Sequence, residues 1–146
     1  MIECDDALWG SIHEAGHCYI ALHFGLTVEK LTLDFCRITH APYTAPDDRN
    51  SCERLVVSAA GICATGCFLD YWEGDSGDLA LSAHRLVSLG ADQQTVYELM
   101  TKAHREAYAL VPRFRTEILA LAKRLRTHRS LSSALERRQL ALERRK

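Results

Sequence analysis

Proline is scarce in this 146-residue chain, with only Pro42, Pro46 and Pro112, and no internal repeat or low-complexity stretch accompanies it. Nothing reads as a linker, so a single domain over residues 1–146 is expected. No run approaches the ~18 apolar residues that a membrane-spanning helix requires. The amino terminus, Met1-Ile2-Glu3-Cys4-Asp5-Asp6, is acidic where a signal peptide is basic, which makes a soluble, cytoplasmic chain the expectation. There is no GxxxxGKS/T phosphate loop, so the chain is not expected to drive work with ATP by itself. No CxxC pair occurs either. Cys63 and Cys67 stand at helical i, i+4 spacing, and the six cysteines read as free thiols of a reducing compartment rather than as a disulfide framework or a cysteine-zinc site.

What is present is an ordinary globular composition, 47% hydrophobic and 25% charged with a formal net charge of −1. At this length folding buries roughly two-thirds of the unfolded surface, so a metal would need some reason other than holding a core together. The small net charge conceals an asymmetry. Residues 1–111 carry 7 Lys+Arg against 16 Asp+Glu, and residues 112–146 carry 11 against 3. The basic tail from about residue 130, with Arg137-Arg138 and Arg144-Arg145-Lys146, reads as a solvated helix facing the protein's own acidic body. An acidic partner is the other occupant that tail would suit, and nucleic acid is not expected.

The patterning predicts a mainly α protein of α+β type with one small β element near the front. Asp5 or Asp6 caps a first helix over residues 7–24, and Gly25 is placed to end it. Residues 27–35 follow as a half-buried strand with Leu31, Leu33 and Phe35 at period two, and a short second strand is predicted over 37–39. Residues 41–50 read as a loop and 51–69 as a helix with Gly61 inside its apolar stripe. After an irregular stretch over 70–77, Asp78 is expected to open a helix to about Leu89, ended by Gly90. A helix from Asp92 to Val111, another from Pro112 to about Thr127, and a fraying one after Ser130 complete the expectation.

Within the first helix stands His13-Glu14-Ala15-Gly16-His17, an HExxH motif. Residues i and i+4 lie ~40° apart around a helix axis and one turn apart along it, so both imidazoles can meet one metal ion from the same face. Glu14, ~100° from His13, is placed to hold a water rather than to be a ligand. Chance would supply about 0.02 such motifs in a chain of this composition. The bland reading is a pair of hydrogen-bonded core histidines beside Trp9, Ile20 and Phe24. Against it, two imidazoles buried on adjacent turns must be satisfied without charging, and one metal satisfies both. Gly16, which costs ~1 kcal/mol against alanine, fits a close approach by another backbone.

A catalytic zinc takes three protein ligands. His23 falls at the third-histidine spacing of a longer motif, but Ile20 stands where a glycine would break the helix, so His23 is expected to point away. The remaining candidates are Glu53, Asp70, Glu73, Asp75, Asp78, His84 and His104. Asp78 is favoured, because a carboxylate at a helix start stays ionised near the N-terminal dipole.

His13-Glu14-Ala15-Gly16-His17, the strand Val28-Glu29-Lys30-Leu31-Thr32-Leu33, Ala59-Ala60-Gly61 and Gly74-Asp75-Ser76-Gly77-Asp78-Leu79-Ala80 together resemble, in that order, the peptidase domain of the FtsH-type ATP-dependent zinc metalloproteases. The likeness continues more faintly through Glu117 to Leu135. It implies a helical domain with a small sheet, Zn2+ held by His13, His17 and Asp78, and Glu14 as general base. It also implies a polypeptide substrate that pairs with an edge strand, here residues 28–35. Those proteases carry membrane helices and an ATPase module before the peptidase domain, so the expectation for this chain is a stand-alone peptidase, with a separate ATPase as a partner. Thr65-Gly66 replace the family's acidic pair, Ile62 stands where arginine is usual, and Gly77 replaces an asparagine. The alternative expectation is a zinc-bound but catalytically inactive interaction module. A two-histidine, one-carboxylate iron site is the third, and Glu14 between the histidines favours hydrolysis over it.

Overall fold

The computed structural model describes residues 6–39, 45–71 and 76–131. In chain order these form α1 (Asp6–His23), β1 (Thr27–Thr32), β2 (Cys36–Thr39), α2 (Arg49–Leu69), α3 (Ser76–Ser88), α4 (Gln93–Leu110), a 3-10 turn (Val111–Phe114), α5 (Arg115–His128) and β3 (Ser130–Leu131). The mainly α class with a small antiparallel sheet beside the first helix is therefore the observed one.

Helix α1 is the centre of the packing. Every residue from Gly10 to Ala21 is buried, because α2 and α5 cover it on two sides and the sheet on a third. Ile12, Tyr19 and Ile20 meet Val56 from α2 and Ile118, Leu121 and Leu125 from α5 in one continuous apolar core. α1 and α2 approach closely at Gly16, where an added Cβ would lie 2.8 Å from both the Ala60 carbonyl oxygen and the Ala64 Cβ. That is the close backbone approach the glycine announced. The helix ends at Gly25, whose φ of +77° suits a residue without a Cβ.

Helix α2 starts where Asp48 accepts a hydrogen bond from the Ser51 amide at 2.7 Å. By length and composition it is apolar enough to cross a membrane, with mean hydropathy 1.4 over its most apolar window, although it contains no long unbroken apolar run. Its Ala, Gly, Cys, Ser and Thr residues raise the mean without forming such a run, and 61% of that window is buried against the rest of the protein.

The sheet departs from expectation in four ways. The strand stops at Thr32, because the Thr32 amide donates to the Phe35 carbonyl and its hydroxyl accepts from the amides of Asp34 and Phe35, closing a tight turn. An irregularity between Val28 and Lys30 shifts the phase, so Val28 and Leu31 are the buried residues while Phe35 is 40% exposed. The order is β2-β1-β3, so β1 is central rather than an edge. Ser130–Leu131 pair with Thr32 and Leu31 as a third strand, because Leu131 completes the core beside Leu31; beyond Leu131 the helix expected after Ser130 lies outside the described residues. The rest of the basic tail, residues 132–146, lies outside the described residues, as do 40–44 of the first loop and 72–75 of the irregular stretch. Asp92 caps α4 and Gly90 follows α3 as expected, but Pro112 falls in the 3-10 turn rather than in the first turn of α5.

Helix propensity alone gives Gly16→Ala about 1 kcal/mol of extra stability. The contact with Ala60 reverses the sign: we expect a loss of about 1–3 kcal/mol from overpacking, read as a lower urea midpoint with unchanged slope. A raised midpoint would contradict the close approach.

Candidate metal centre

Helical spacing stacks His13 and His17 on the face of α1 that looks toward α2 and α3. Their Nε2 atoms are 3.0 Å apart. Asp78, in the first turn of α3, places Oδ2 3.1 Å from His13 Nε2 and 3.0 Å from His17 Nε2. The helix begins at Ser76 rather than at Asp78, so Asp78 lies inside the first turn, still near the positive end of the dipole.

Three donor atoms thus form a nearly equilateral triangle. Ligands held tetrahedrally at ~2.0–2.1 Å from a zinc-sized ion lie ~3.3 Å from one another, so the triangle is close to one face of such a site. His17 Nδ1 donates to the Val57 carbonyl at 2.6 Å, and in the protonated ring Nε2–H faces the Asp78 carboxylate. In the metal-free protein that one proton is shared among the contacts of the triangle, whereas a cation at its centre, with both rings neutral, would fill all three together.

Glu14 is buried beside this triangle, and one ligand atom each from His13, Glu14 and His17 lie within 4.8 Å of one another, a group able to hold a metal ion. Asp78 makes direct contact with both imidazoles and is the nearer carboxylate. Burial pushes the Glu14 carboxyl up to about 7, opposed by His17 and reinforced by the charges of Asp78 and Asp34. Burial lowers His13, with Asp78 pulling the other way. For His17, burial favours the neutral ring, but the Asp78 carboxylate, the charge of Glu14 and the Val57 carbonyl outweigh it and push the ring up to about 9.

Two supports come from α2 and one from α1. Besides Val57, a Cβ at Gly61 would lie 2.5 Å from His17 Nε2 and 2.7 Å from His13 Cε1, so glycine leaves the space that the imidazoles fill. Trp9, one turn before His13, stacks on its ring with centroids 4.4 Å apart. The glycine within an apolar helical stripe was a readable signal. The Val57 carbonyl was not, since a backbone acceptor leaves no mark in residue type.

The other candidates are placed elsewhere. His23 packs between Phe24 and Phe114. Glu53 pairs with Arg49 at 2.8 Å, Asp70 terminates α2 with φ of 54°, and His104 bonds the Met100 carbonyl. His84 is exposed on α3, and Glu73 and Asp75 lie outside the described residues. A cleft of about 290 Å³ opens beside the centre, with Glu14, His17 and Asp78 at one end and Arg54 and Arg85 in its lining. No known protein-family model matches this chain, and no curated protein is significantly similar to it.

Two predictions follow from this geometry. Asp78→Ala removes one corner of the triangle and should weaken divalent-metal binding by more than the ~10–100-fold typical of losing a supporting contact, with the helical circular dichroism retained; unchanged affinity by calorimetry would remove Asp78 from the centre. Because the folded pKa of His17 lies above its ordinary 6.5, the stability it gives the metal-free protein is full below pH 6.5 and is lost as pH rises through about 9. The metal-free melting temperature should fall between pH 7 and 9, and metal binding at pH 7.5 should release a proton, seen as a buffer-dependent binding enthalpy.

Proposed function

We propose that this chain is a zinc metallopeptidase, related to the FtsH-type peptidase domain, that hydrolyses peptide bonds in flexible or unfolded polypeptide. The observation that carries the reading is the His13–His17–Asp78 triangle with the buried Glu14 carboxyl beside it. Two neutral imidazoles and one carboxylate are the donor set of a hydrolytic zinc site that keeps a position open. When bound, zinc supplies a Lewis acid that lowers the pKa of a water toward ~7 and polarises the scissile carbonyl.

The residues of the chain do the rest. Glu14, poised near neutrality by burial, takes the proton of the attacking water and hands it to the departing amine nitrogen. The Val57 carbonyl holds the His17 ring in the tautomer that offers Nε2, and Trp9 fixes the plane of His13. The order of the sheet changes which strand meets substrate. β2 lies at the sheet edge, and its Cys36 and Ile38 line the cleft, so an extended polypeptide is expected to add to residues 36–39 rather than to 28–35.

Metal analysis of protein isolated without added metal should find zinc rather than iron. The decisive comparison is cleavage of an unfolded, fluorescently labelled polypeptide by the intact chain and by Glu14→Gln at equal zinc occupancy. Turnover should fall by at least ~100-fold in the variant. Zinc bound in both with turnover in neither would replace the peptidase reading with that of a metal-bound interaction module.

A further inference from the structure

Among the described residues the serine and threonine side chains that are buried are Ser11, Ser51, Thr65 and Ser82. The first three use their hydroxyls inside the fold. Ser11 donates to the Leu8 carbonyl at 2.9 Å and accepts from Arg126, Ser51 donates to the Ala45 carbonyl at 2.7 Å, and Thr65 donates to the carbonyls of Gly61 and Ile62 on its own helix. Ser82, only 4% exposed in the second turn of α3, makes no hydrogen bond with any described residue. A helical serine can turn back on its own backbone, as Ser88 of the same helix does to the His84 carbonyl at 3.0 Å. Ser82 does not, although burial deprives its hydroxyl of hydration.

Its place explains what the hydroxyl can serve. Ser82 lines the cleft beside the metal donors, and its Oγ keeps some exposed surface, so the hydroxyl opens on to that space rather than being sealed in the core. It follows Asp78 by four residues, which puts it on the same face of α3, ~40° around and ~6 Å farther along the axis. The sheet lines the cleft through Cys36 and Ile38 of the edge strand β2. An extended polypeptide added to β2 bonds that edge with one side of its backbone, and the N–H and C=O groups of the other side need partners of their own. Those outward groups recur at every second residue, ~6.6 Å apart. A carbonyl directed at the metal centre therefore has its next outward neighbours at the distance of Ser82, and a hydroxyl is both donor and acceptor, able to meet either group.

We propose that Ser82 is a substrate-positioning residue, whose hydroxyl bonds the main chain of an extended polypeptide two residues from the bond held at the metal centre. It reads backbone rather than side chain, so the substrate class it selects is polypeptide in extended form, with wide tolerance of sequence. In the complex the hydroxyl gains the partner that it lacks among the described residues, and the register of the bound chain against the metal donors is fixed at a second point on the same rigid helix. This role rests on the peptidase reading and on the addition of substrate to β2.

The test uses the full chain loaded with zinc and a set of labelled peptides of one sequence, in which one amide at a time is replaced by an ester. The ester removes the N–H and weakens the carbonyl as an acceptor. Binding is read by anisotropy in the Glu14→Gln background, where turnover does not interfere, and the cleaved bond is located with the unsubstituted chain. Ser82→Ala should weaken binding of the all-amide peptide about three- to tenfold at equal zinc occupancy. One ester, two residues from the cleaved bond, should weaken binding by a similar factor when Ser82 is present and not at all in Ser82→Ala. Ser88→Ala, which removes an exposed hydroxyl bonded to its own helix, should bind every peptide as the parent does. Because the Ser82 hydroxyl has no partner to lose, the urea midpoint of ligand-free Ser82→Ala should not fall. A lower midpoint, unchanged binding by Ser82→Ala, or ester effects that are the same with and without the hydroxyl would overturn the role. Binding that depends on Ser82 with no cleavage by the unsubstituted chain would leave backbone recognition standing and remove the peptidase reading. Cleavage with ester effects indifferent to Ser82 would do the reverse.

Discussion

The distance between α1 and α2 is the constraint on which the candidate centre depends. At Gly16 the two helices touch backbone to side chain, with the Ala60 carbonyl and the Ala64 methyl against the bare Cα. That contact brings the carbonyl of Val57 within reach of His17, and the open face of Gly61 beneath both imidazoles. A helix of larger residues at these positions would hold the axes apart and leave two buried histidines without their supports. Small residues facing α1, Ala60, Gly61 and Ala64, are thus a geometric requirement of the site as much as of the core.

Burial explains the electrostatics of the centre. Imidazoles and a carboxyl enclosed by α1, α2 and α3 lose hydration that only a partner can replace. Within the triangle the partners are one another, and a cation at its centre can take the place of the proton that they share. The same burial acts in opposite directions on groups of opposite charge type, raising Glu14 and lowering His13. His17 goes against its own burial because two carboxylates and a carbonyl surround it.

Helix α3 has a double role. Its first turn brings Asp78 to the imidazoles, and its third brings Arg85 to the far end of the cleft, so one rigid rod links the metal-binding end to the cationic end. The sheet closes the other side through β2. β1, held between β2 and β3, provides the stiff support behind that edge.

Much of this was legible in residue order, wherever the responsible contacts are local. Periodicity and capping residues located the helices. The i, i+4 histidines with an intervening glutamate marked the centre, since one helix carries all three, and a helix-interior glycine signalled the close approach at Gly16. Contacts between distant segments were not legible in the same way. Asp78 stood among seven candidates because 61 residues separate it from His17, and only the packing of α3 against α2 brought its carboxylate to both rings. The Val57 carbonyl, the central place of β1 and the lining of one cleft by residues of both α2 and α3 belong to the tertiary structure alone. A backbone oxygen, a strand order and a distance across a cleft are relations between segments, and no single segment's pattern of side chains encodes them.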